Sequence, residues 1–415
     1  MDDDAPPAIS RRTLLATGAA AVGSALAQST LGMTPSSAET GNQGTAALPV
    51  PDNPTTVPGV PPRTYGTRSS FERIARRVGE TRSLTPLQDL QGMLTPSALH
   101  FERHHNGVPQ IDPARHRLLV HGLVERPMIF TVDDIRRFPA ASRFAFIECS
   151  GNSGGEWLTP GERAQDTCGL LSTSEWTGVP LRTLLEEVGA KPEAVWMLAE
   201  GSDAAVMTRS IPLSEALDEA LICYTQNGEA LRPEQGYPLR LLLPGWEGNA
   251  SIKWLRRLKL GTAPFMTREE TAHYTDLMPD GTARQFTLIM DAKSLITSPS
   301  GGHRLQPGFV EIRGLAWSGR GRITGVEVST DGGRSWHRAN LQAPVLSKCT
   351  TVFRVGWHWT GQEAVLQSRC TDETGYVQPT RAALMAVRGL HSYYHYNAIQ
   401  SWRVARDGTV RNVHL

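Results

Sequence analysis

Long hydrophobic runs, net charge and a cysteine framework are what this 415-residue chain lacks, and each absence removes a class of function. Its 42 basic and 41 acidic residues nearly cancel, so there is no chain-wide positive field of the kind that marks a nucleic-acid binder; a local basic pocket remains compatible with this balance. No apolar stretch approaches the roughly 20 residues that a membrane-spanning helix needs. No Gly-x-Gly-x-x-Gly follows a strand-like run, which argues against a dinucleotide-binding Rossmann unit. There is no Cys-x-x-Cys-His, so the chain attaches no c-type haem of its own. The five cysteines, Cys149, Cys168, Cys223, Cys349 and Cys370, are spaced neither like a zinc knuckle nor like a small disulfide scaffold, and their odd number leaves at least one outside any intrachain pair.

What is present begins with a processing signal. Ser10-Arg11-Arg12-Thr13-Leu14-Leu15 precedes a short, Ala-rich, weakly hydrophobic stretch ending in Ala25-Leu26-Ala27. Paired arginines in that setting read as a twin-arginine export signal over 1–27, with cleavage near Gln28, in preference to a membrane anchor. That route carries proteins already folded, usually around a cofactor, and the expected compartment is the periplasm. Residues 28–85 are rich in Pro, Ser, Thr and Gly and read as an extended arm.

From 86 to 280 short apolar runs alternate with turns and a few helical stretches, the pattern of an α+β domain. Arg117-Leu118-Leu119-Val120, Val195-Trp196-Met197-Leu198-Ala199 and Leu239-Arg240-Leu241-Leu242-Leu243 read as strands. Pro180 to Val188 reads as a helix, with proline at its first turn and Gly189 at its end. From 281 to 415 the rhythm is strand and turn, with alternation over 309–314, 322–328 and 364–368 and a tight-turn signal at Asp331-Gly332-Gly333. An all-β domain, most simply a sandwich, follows from that pattern.

Four groups of residues could carry chemistry. Cys149 ends the apolar run Phe144-Ala145-Phe146-Ile147 and opens onto Ser150-Gly151-Asn152-Ser153-Gly154-Gly155, a placement that suits a metal ligand or a nucleophile as well as a buried thiol. Arg103-His104-His105 ahead of Asn106-Gly107 is either a solvated loop or an anion site. Arg240, Ser251 and Lys253 flank the glycine-bearing turn Pro244-Gly245-Trp246-Glu247-Gly248, which suits a phosphate. His391-Ser392-Tyr393-Tyr394-His395-Tyr396 reads equally as a metal or substrate site and as an interface, and Trp357-His358-Trp359 reads as sandwich packing.

Taken together, Arg103-His104-His105, Glu148-Cys149-Ser150-Gly151-Asn152, Trp176-Thr177-Gly178-Val179-Pro180-Leu181, Gly236-Tyr237-Pro238-Leu239-Arg240, Ser251-Ile252-Lys253-Trp254 and Val326 to Trp336 resemble the sulfite oxidase family of molybdopterin enzymes over roughly 86–415. Within it, the leader, the Cys149 turn and the C-terminal tail resemble the molybdenum (SoxC-type) subunits of sulfane dehydrogenases. The resemblance implies a molybdopterin-binding catalytic domain over 86–280, an immunoglobulin-like dimerisation domain over 281–415, and a molybdenum-molybdopterin cofactor. It implies that Cys149 is the thiolate ligand of the metal, that Arg103, His105, Arg240, Ser251 and Lys253 hold the pterin and its phosphate, and that Tyr274 is the active-site tyrosine, acting with Cys149 and Arg103 in catalysis.

The activity implied is oxidation of sulfane sulfur on a carrier protein (SoxYZ-like) to the sulfonate level. The electrons would leave to a c-type cytochrome subunit (SoxD-like). The alternative is a periplasmic sulfite dehydrogenase with a cytochrome acceptor; the family's methionine-sulfoxide-reducing branch generally lacks the C-terminal sandwich. Two departures from the family pattern stand out. Ser153 and Gly154 occupy positions where arginines usually clamp a free oxyanion, which predicts a less charged and roomier entrance. Gln235 replaces a common histidine, and its amide is expected to preserve a hydrogen bond.

Overall fold

The computed structural model describes residues 50–53, 55–390 and 392–415. The export signal, most of the first half of the arm and His391 lie outside the described residues. The chain divides into two compact units, 1–68 and 69–415. In the first, the described residues form no strand or helix, and Asn53 makes a local turn by accepting hydrogen bonds from the Thr55 N–H and hydroxyl.

The second unit is built on sheets. Helices are few and short among the described residues, the longest being Arg381–Arg388. The α+β expectation is thus corrected toward β: the three runs read as strands form Leu118–Gly122, Trp196–Gly201 and Arg240–Leu242, and further strands pair with them where local pattern gave no signal, because tertiary pairing and not local propensity decides the conformation. The helix expected after Pro180 does form, as Leu181–Glu187, and Gly189 follows it with a φ of 65°.

Strands Arg77–Val78, Arg82–Leu84 and Glu102–Arg103 make a small antiparallel sheet. A second sheet runs in the order Glu229–Ala230, Leu221–Gln226, Leu171–Pro180, Ala141–Glu148, with Arg240–Leu242 also paired to Leu221–Gln226. A third places Leu255–Gly261 between Leu118–Gly122, with which it runs parallel, and the antiparallel Trp196–Gly201. Leu118, Val120, Leu181, Leu184, Leu241 and Leu258 belong to one buried cluster that joins these layers.

Beyond residue 290 a four-stranded sheet (Lys293–Ser298, Gly308–Trp317, Thr351–Trp359, Asn340–Leu341) and a five-stranded sheet (His337–Arg338, Ile323–Ser329, Ala364–Asp372, Ser401–Val404, Val410–Val413) share a core of Trp317, Val326, Phe353, Leu366 and Trp402. The expected turn at Asp331 is there: its carboxylate accepts from the N–H groups of Arg334 and Ser335, and Gly332 and Gly333 both have positive φ. Trp359 is buried in the same core. Phe146 and Leu171, from the earlier sheet, and Cys168, from the short helix Ala164–Cys168, also belong to this cluster, while Ala145 and Ile147 belong to a separate one, so the strand that leads to Cys149 packs on both faces.

Candidate functional site

The position of Cys149 follows from its strand. Ala141–Glu148 pairs along its whole length with Leu171–Pro180, and its last four residues are buried. The chain then turns: the Asn152 N–H donates to the Cys149 carbonyl at 2.8 Å, and Ser153 takes a left-handed conformation (φ 62°). Asn152 locks the turn by donating to Glu148 Oε1 (2.8 Å) and to the Cys168 sulfur (3.0 Å), while its own Oδ1 accepts from Leu170 N–H. Glu148 in turn accepts from Trp317 Nε1 (2.6 Å) and lies 3.4 Å from Lys293 Nζ, which also donates to Ser153 Oγ (2.8 Å). These partners sit on the strands Lys293–Ser298 and Gly308–Trp317, so the later sheets fix the Cys149 turn.

A cavity of about 690 Å³ opens beside this turn. Arg103, His105, Cys149, Arg240, Ser251, Lys253 and Tyr274 all line it, so the structure brings together the seven site residues that the resemblance implied, while the described residues of the 391–396 and 357–359 groups are not in its lining. Gly248 allows the closest approach: a Cβ there would lie 2.8 Å from the Glu148 carbonyl oxygen, so only glycine lets the loop carrying Ser251 and Lys253 reach the end of the Cys149 strand.

Each side chain has a defined anchor. Arg240 is buried over the Trp176 ring (4.8 Å) and donates to the carbonyls of Gln235 (3.0 Å) and Ser251 (3.1 Å). The Ser251 hydroxyl accepts from Leu243 N–H, which leaves its own proton for the cavity. Lys253 Nζ contacts the carbonyls of Arg103 (3.1 Å) and Glu234 (3.0 Å) and His104 Nδ1 (2.8 Å). His105 Nε2 lies 3.3 Å from the Tyr274 hydroxyl. Gln235 does keep a hydrogen bond, but spends it on the Phe101 carbonyl, a structural partner.

The electrostatics favour an anion. Arg103, Arg240 and Lys253 face the cavity, against the single carboxylate of Asp203 in its lining. Burial, and then the nearby Arg240 charge, lower the Lys253 ammonium from its ordinary value to about 7, and burial lowers Arg240 to about 10. Arg240 Nε, Asn249 Oδ1 and His100 Nε2 are buried in the lining without a hydrogen-bond partner among the described residues, so each is free to bond a polar ligand. His100 is held neutral, its pKa pushed down to about 3 by burial, and Nδ1 is engaged with the Phe101 carbonyl. Burial raises the Cys149 thiol, opposed by the Gly151 N–H and the Arg103 guanidinium. Among the described residues no group of three or more His, Cys, Asp or Glu side chains could hold a metal. A metal bonded to Cys149 would therefore need its remaining ligands from outside these side chains.

The depressed Lys253 pKa has a testable sign. Without an anion, folding forces this lysine to give up charge, so the ligand-free protein loses stability as pH falls from about 10.5 to about 7, and below that the penalty is complete. A bound polyanion removes it. Pyrophosphate should therefore raise the melting temperature of ligand-free protein by a few degrees near pH 6.5 and by much less near pH 9. Lys253→Met should abolish that pH dependence in a thermal melt.

Sequence reasoning missed a second layer. Arg209, wholly buried, is held by Glu247 (2.9 Å) and Glu270 (2.7 Å), and its guanidinium lies 4.9 Å from the centre of the Tyr274 ring. Glu247 also pairs with His395 Nε2 at 2.7 Å, which brings the C-terminal tail onto the site. Because Arg209 is spent on two carboxylates, it positions Tyr274 and adds no free charge to the cavity. The roomier entrance expected at Ser153 and Gly154 is corrected. Ser153 is buried against Lys293, and the space above Gly151 and Gly154 is filled by Tyr393, whose Cε1 and carbonyl oxygen would lie 3.1 and 3.0 Å from a Cβ at those positions.

Comparison with known proteins agrees with this geometry. Residues 105–269 match the model of the oxidoreductase molybdopterin binding domain, and residues 284–402 that of the Mo-co oxidoreductase dimerisation domain. The chain is 30% identical to the sulfite oxidase of Gallus gallus, over 82% of this chain and 79% of that one. It is 34% identical to an NADH nitrate reductase of Ulva prolifera over 65% of this chain, but spans only 34% of that longer protein. Among solved structures, a chain of the sulfane dehydrogenase SoxCD from Paracoccus pantotrophus superposes with a TM-score of 0.83 at 47% identity, covering 85% of this chain and 94% of that one.

Proposed function

This chain belongs to the sulfite oxidase family of molybdopterin oxidoreductases, and from that premise we propose that it is the molybdenum subunit of a sulfane dehydrogenase, oxidising sulfane sulfur carried on a partner protein to the sulfonate level. The observation that carries this reading is the 47% identity to a SoxCD chain over 94% of its length, in a protein whose seven candidate residues line one cavity beside Cys149.

The cofactor is molybdenum-molybdopterin, which supplies two-electron oxygen-atom transfer when bound. Cys149 would ligate the metal through its thiolate, a soft donor suited to it. Arg240, Ser251 and Lys253, together with the unpartnered Arg240 Nε and His100 Nε2, would hold the pterin and its phosphate. His105 stands at hydrogen-bond reach of Tyr274. Arg103 is the largest opposing charge on the Cys149 thiol, so its guanidinium is the group that would stabilise negative charge developing on the substrate's oxygens. Tyr274 has its phenol pKa raised, chiefly by burial, and remains a hydrogen donor through the physiological range. The chain has no haem-attachment motif, so the electrons pass to a c-type cytochrome subunit. Residues 284–402 provide dimerisation through the C-terminal domain.

Among the described residues no helix is long and apolar enough to cross a membrane. Export to the periplasm by the twin-arginine route, with domains over 86–280 and 281–415, completes the proposal. The test is cytochrome c reduction by the purified complex with two substrates, a persulfidated carrier protein and free sulfite. A kcat/KM at least about tenfold higher for the carrier, roughly 1.4 kcal/mol of discrimination, is expected. Equal or better turnover of free sulfite would contradict the proposal in favour of a sulfite dehydrogenase.

A further inference from the structure

Three aromatic rings run in contact from the cavity wall to the surface. Tyr274 lines the cavity, the Tyr394 ring centre lies 5.5 Å from it, and Tyr393 packs edge-on against Tyr394 at 5.1 Å with 58% of its surface exposed. This segment is fixed on the turn that carries Cys149. The His395 N–H donates to the Ser150 carbonyl at 2.9 Å, the His395 ring is tied to buried Glu247, and Tyr393 lies against Gly151 and Gly154. The Tyr394 hydroxyl makes no hydrogen bond to any described residue. Tyr394 is thus held between the Tyr274 ring, which lines the cavity together with Cys149, and His395, which is bonded to the residue after Cys149.

The charged groups nearby are few. Arg209 is consumed by Glu247 and Glu270, Lys293 by Glu148 and Ser153, and positions 153 and 154 carry no charge. Arg103 is left as the guanidinium that acts on Cys149. A free dianion is held best by several guanidinium forks. A sulfur atom borne on an organic arm is recognised instead by ring faces and edges, against which polarisable sulfur packs favourably, and by neutral hydroxyl donors.

We propose that Tyr394 is a specificity-determining residue, a second phenol that donates a hydrogen bond to substrate at Cys149, with the Tyr393 ring forming the wall along which the organic arm of a protein-bound sulfane substrate lies. This rests on the sulfane dehydrogenase reading and assigns the selectivity to the C-terminal tail. It accounts for glycine at 151 and 154, since a side chain at either would displace the Tyr393 ring or backbone.

The test uses the intact complex with Tyr394→Phe and Tyr393→Ala. Tyr394→Phe should lower kcat/KM for persulfidated carrier about tenfold more than it lowers that for free sulfite, the size of one lost hydrogen bond. An independent readout needs no turnover. In cofactor-free protein Cys149 is the half-buried cysteine and the other four are buried, so alkylation reports on it selectively. Tyr393→Ala should accelerate its reaction with a bulky maleimide about fivefold while leaving iodoacetamide nearly unchanged, if lateral room beside the thiol is what the ring controls. Equal losses on both substrates, or a wild-type preference for the carrier that Tyr394→Phe leaves intact, overturns the role of Tyr394. Unchanged maleimide rates overturn that of Tyr393. Wild-type enzyme that prefers free sulfite overturns the substrate reading itself, and is distinguishable because it needs no variant.

Discussion

Cys149→Ser should leave a folded protein whose oxidation of carrier-bound sulfane falls by at least ~1000-fold, about 4 kcal/mol of lost transition-state stabilisation. The fold should survive because serine is nearly isosteric and the turn is held by other atoms: Asn152 bonds to Glu148 and Leu170, and Trp317 and Lys293 grip Glu148 from the adjoining sheets. Activity should not survive, because a hydroxyl is a hard ligand that ionises far less readily than a thiol and does not replace a thiolate donor. Steady-state cytochrome reduction alongside a thermal melt checks both halves. Full turnover by the variant would remove the thiolate from the mechanism.

The second large effect concerns stability. Arg209→Met should cost about 3–5 kcal/mol, the usual result of breaking a buried ion pair from one side, because it strands two buried carboxylates, Glu247 and Glu270. The pH dependence has a definite sign. Burial alone would raise the Glu247 pKa, but Arg209 and His395 outweigh it and hold the carboxyl at about 2. A carboxylate with a depressed folded-state pKa contributes stability above its unfolded value near 4.5 and loses it as pH falls toward 2. The gap between wild type and variant should therefore be widest at neutral pH and shrink below about pH 4.5. Urea unfolding at pH 7 and near pH 3.5 measures it. A gap near zero at both pH values would mean that the pair does not stabilise the fold, and a large gap that does not shrink near pH 3.5 would mean that the ionised Glu247 carboxylate is not its source. Because Arg209 lies under the Tyr274 ring, the variant should also lose kcat more than KM.

Local signals in the sequence account for the elements they govern. Proline at the start and glycine at the end delimit Leu181–Glu187, and the Asp331-Gly332-Gly333 turn forms because its carboxylate caps the following N–H groups. The apolar run that stops at Cys149 is a strand end as expected. Where residues cluster across the chain, local pattern is silent. Arg103 and Lys253 are 150 positions apart yet touch through a backbone carbonyl, and their convergence with Cys149 and Tyr274 was legible only through resemblance to a family. Arg209 and Glu270 had no signal at all, since a single charge in Thr208-Arg209-Ser210-Ile211 looks like a solvated strand face until its partners, 38 and 61 positions away, are placed. The tail was legible as unusual but ambiguous between site and interface. Its place follows from the His395 bonds to Ser150 and Glu247, which no sequence period encodes. Ser153 and Gly154 misled for a similar reason: small residues free space, and a tyrosine from 239 positions later in the same chain occupies it.

The most direct test of the account is the sulfur coordination of the metal, read by molybdenum K-edge X-ray absorption on the purified protein and on Cys149→Ser. The wild type should show one molybdenum–sulfur scatterer beyond those that molybdopterin itself supplies, and the variant should lose that one alone. An unchanged sulfur shell in the variant would contradict the assignment of Cys149 as the ligand.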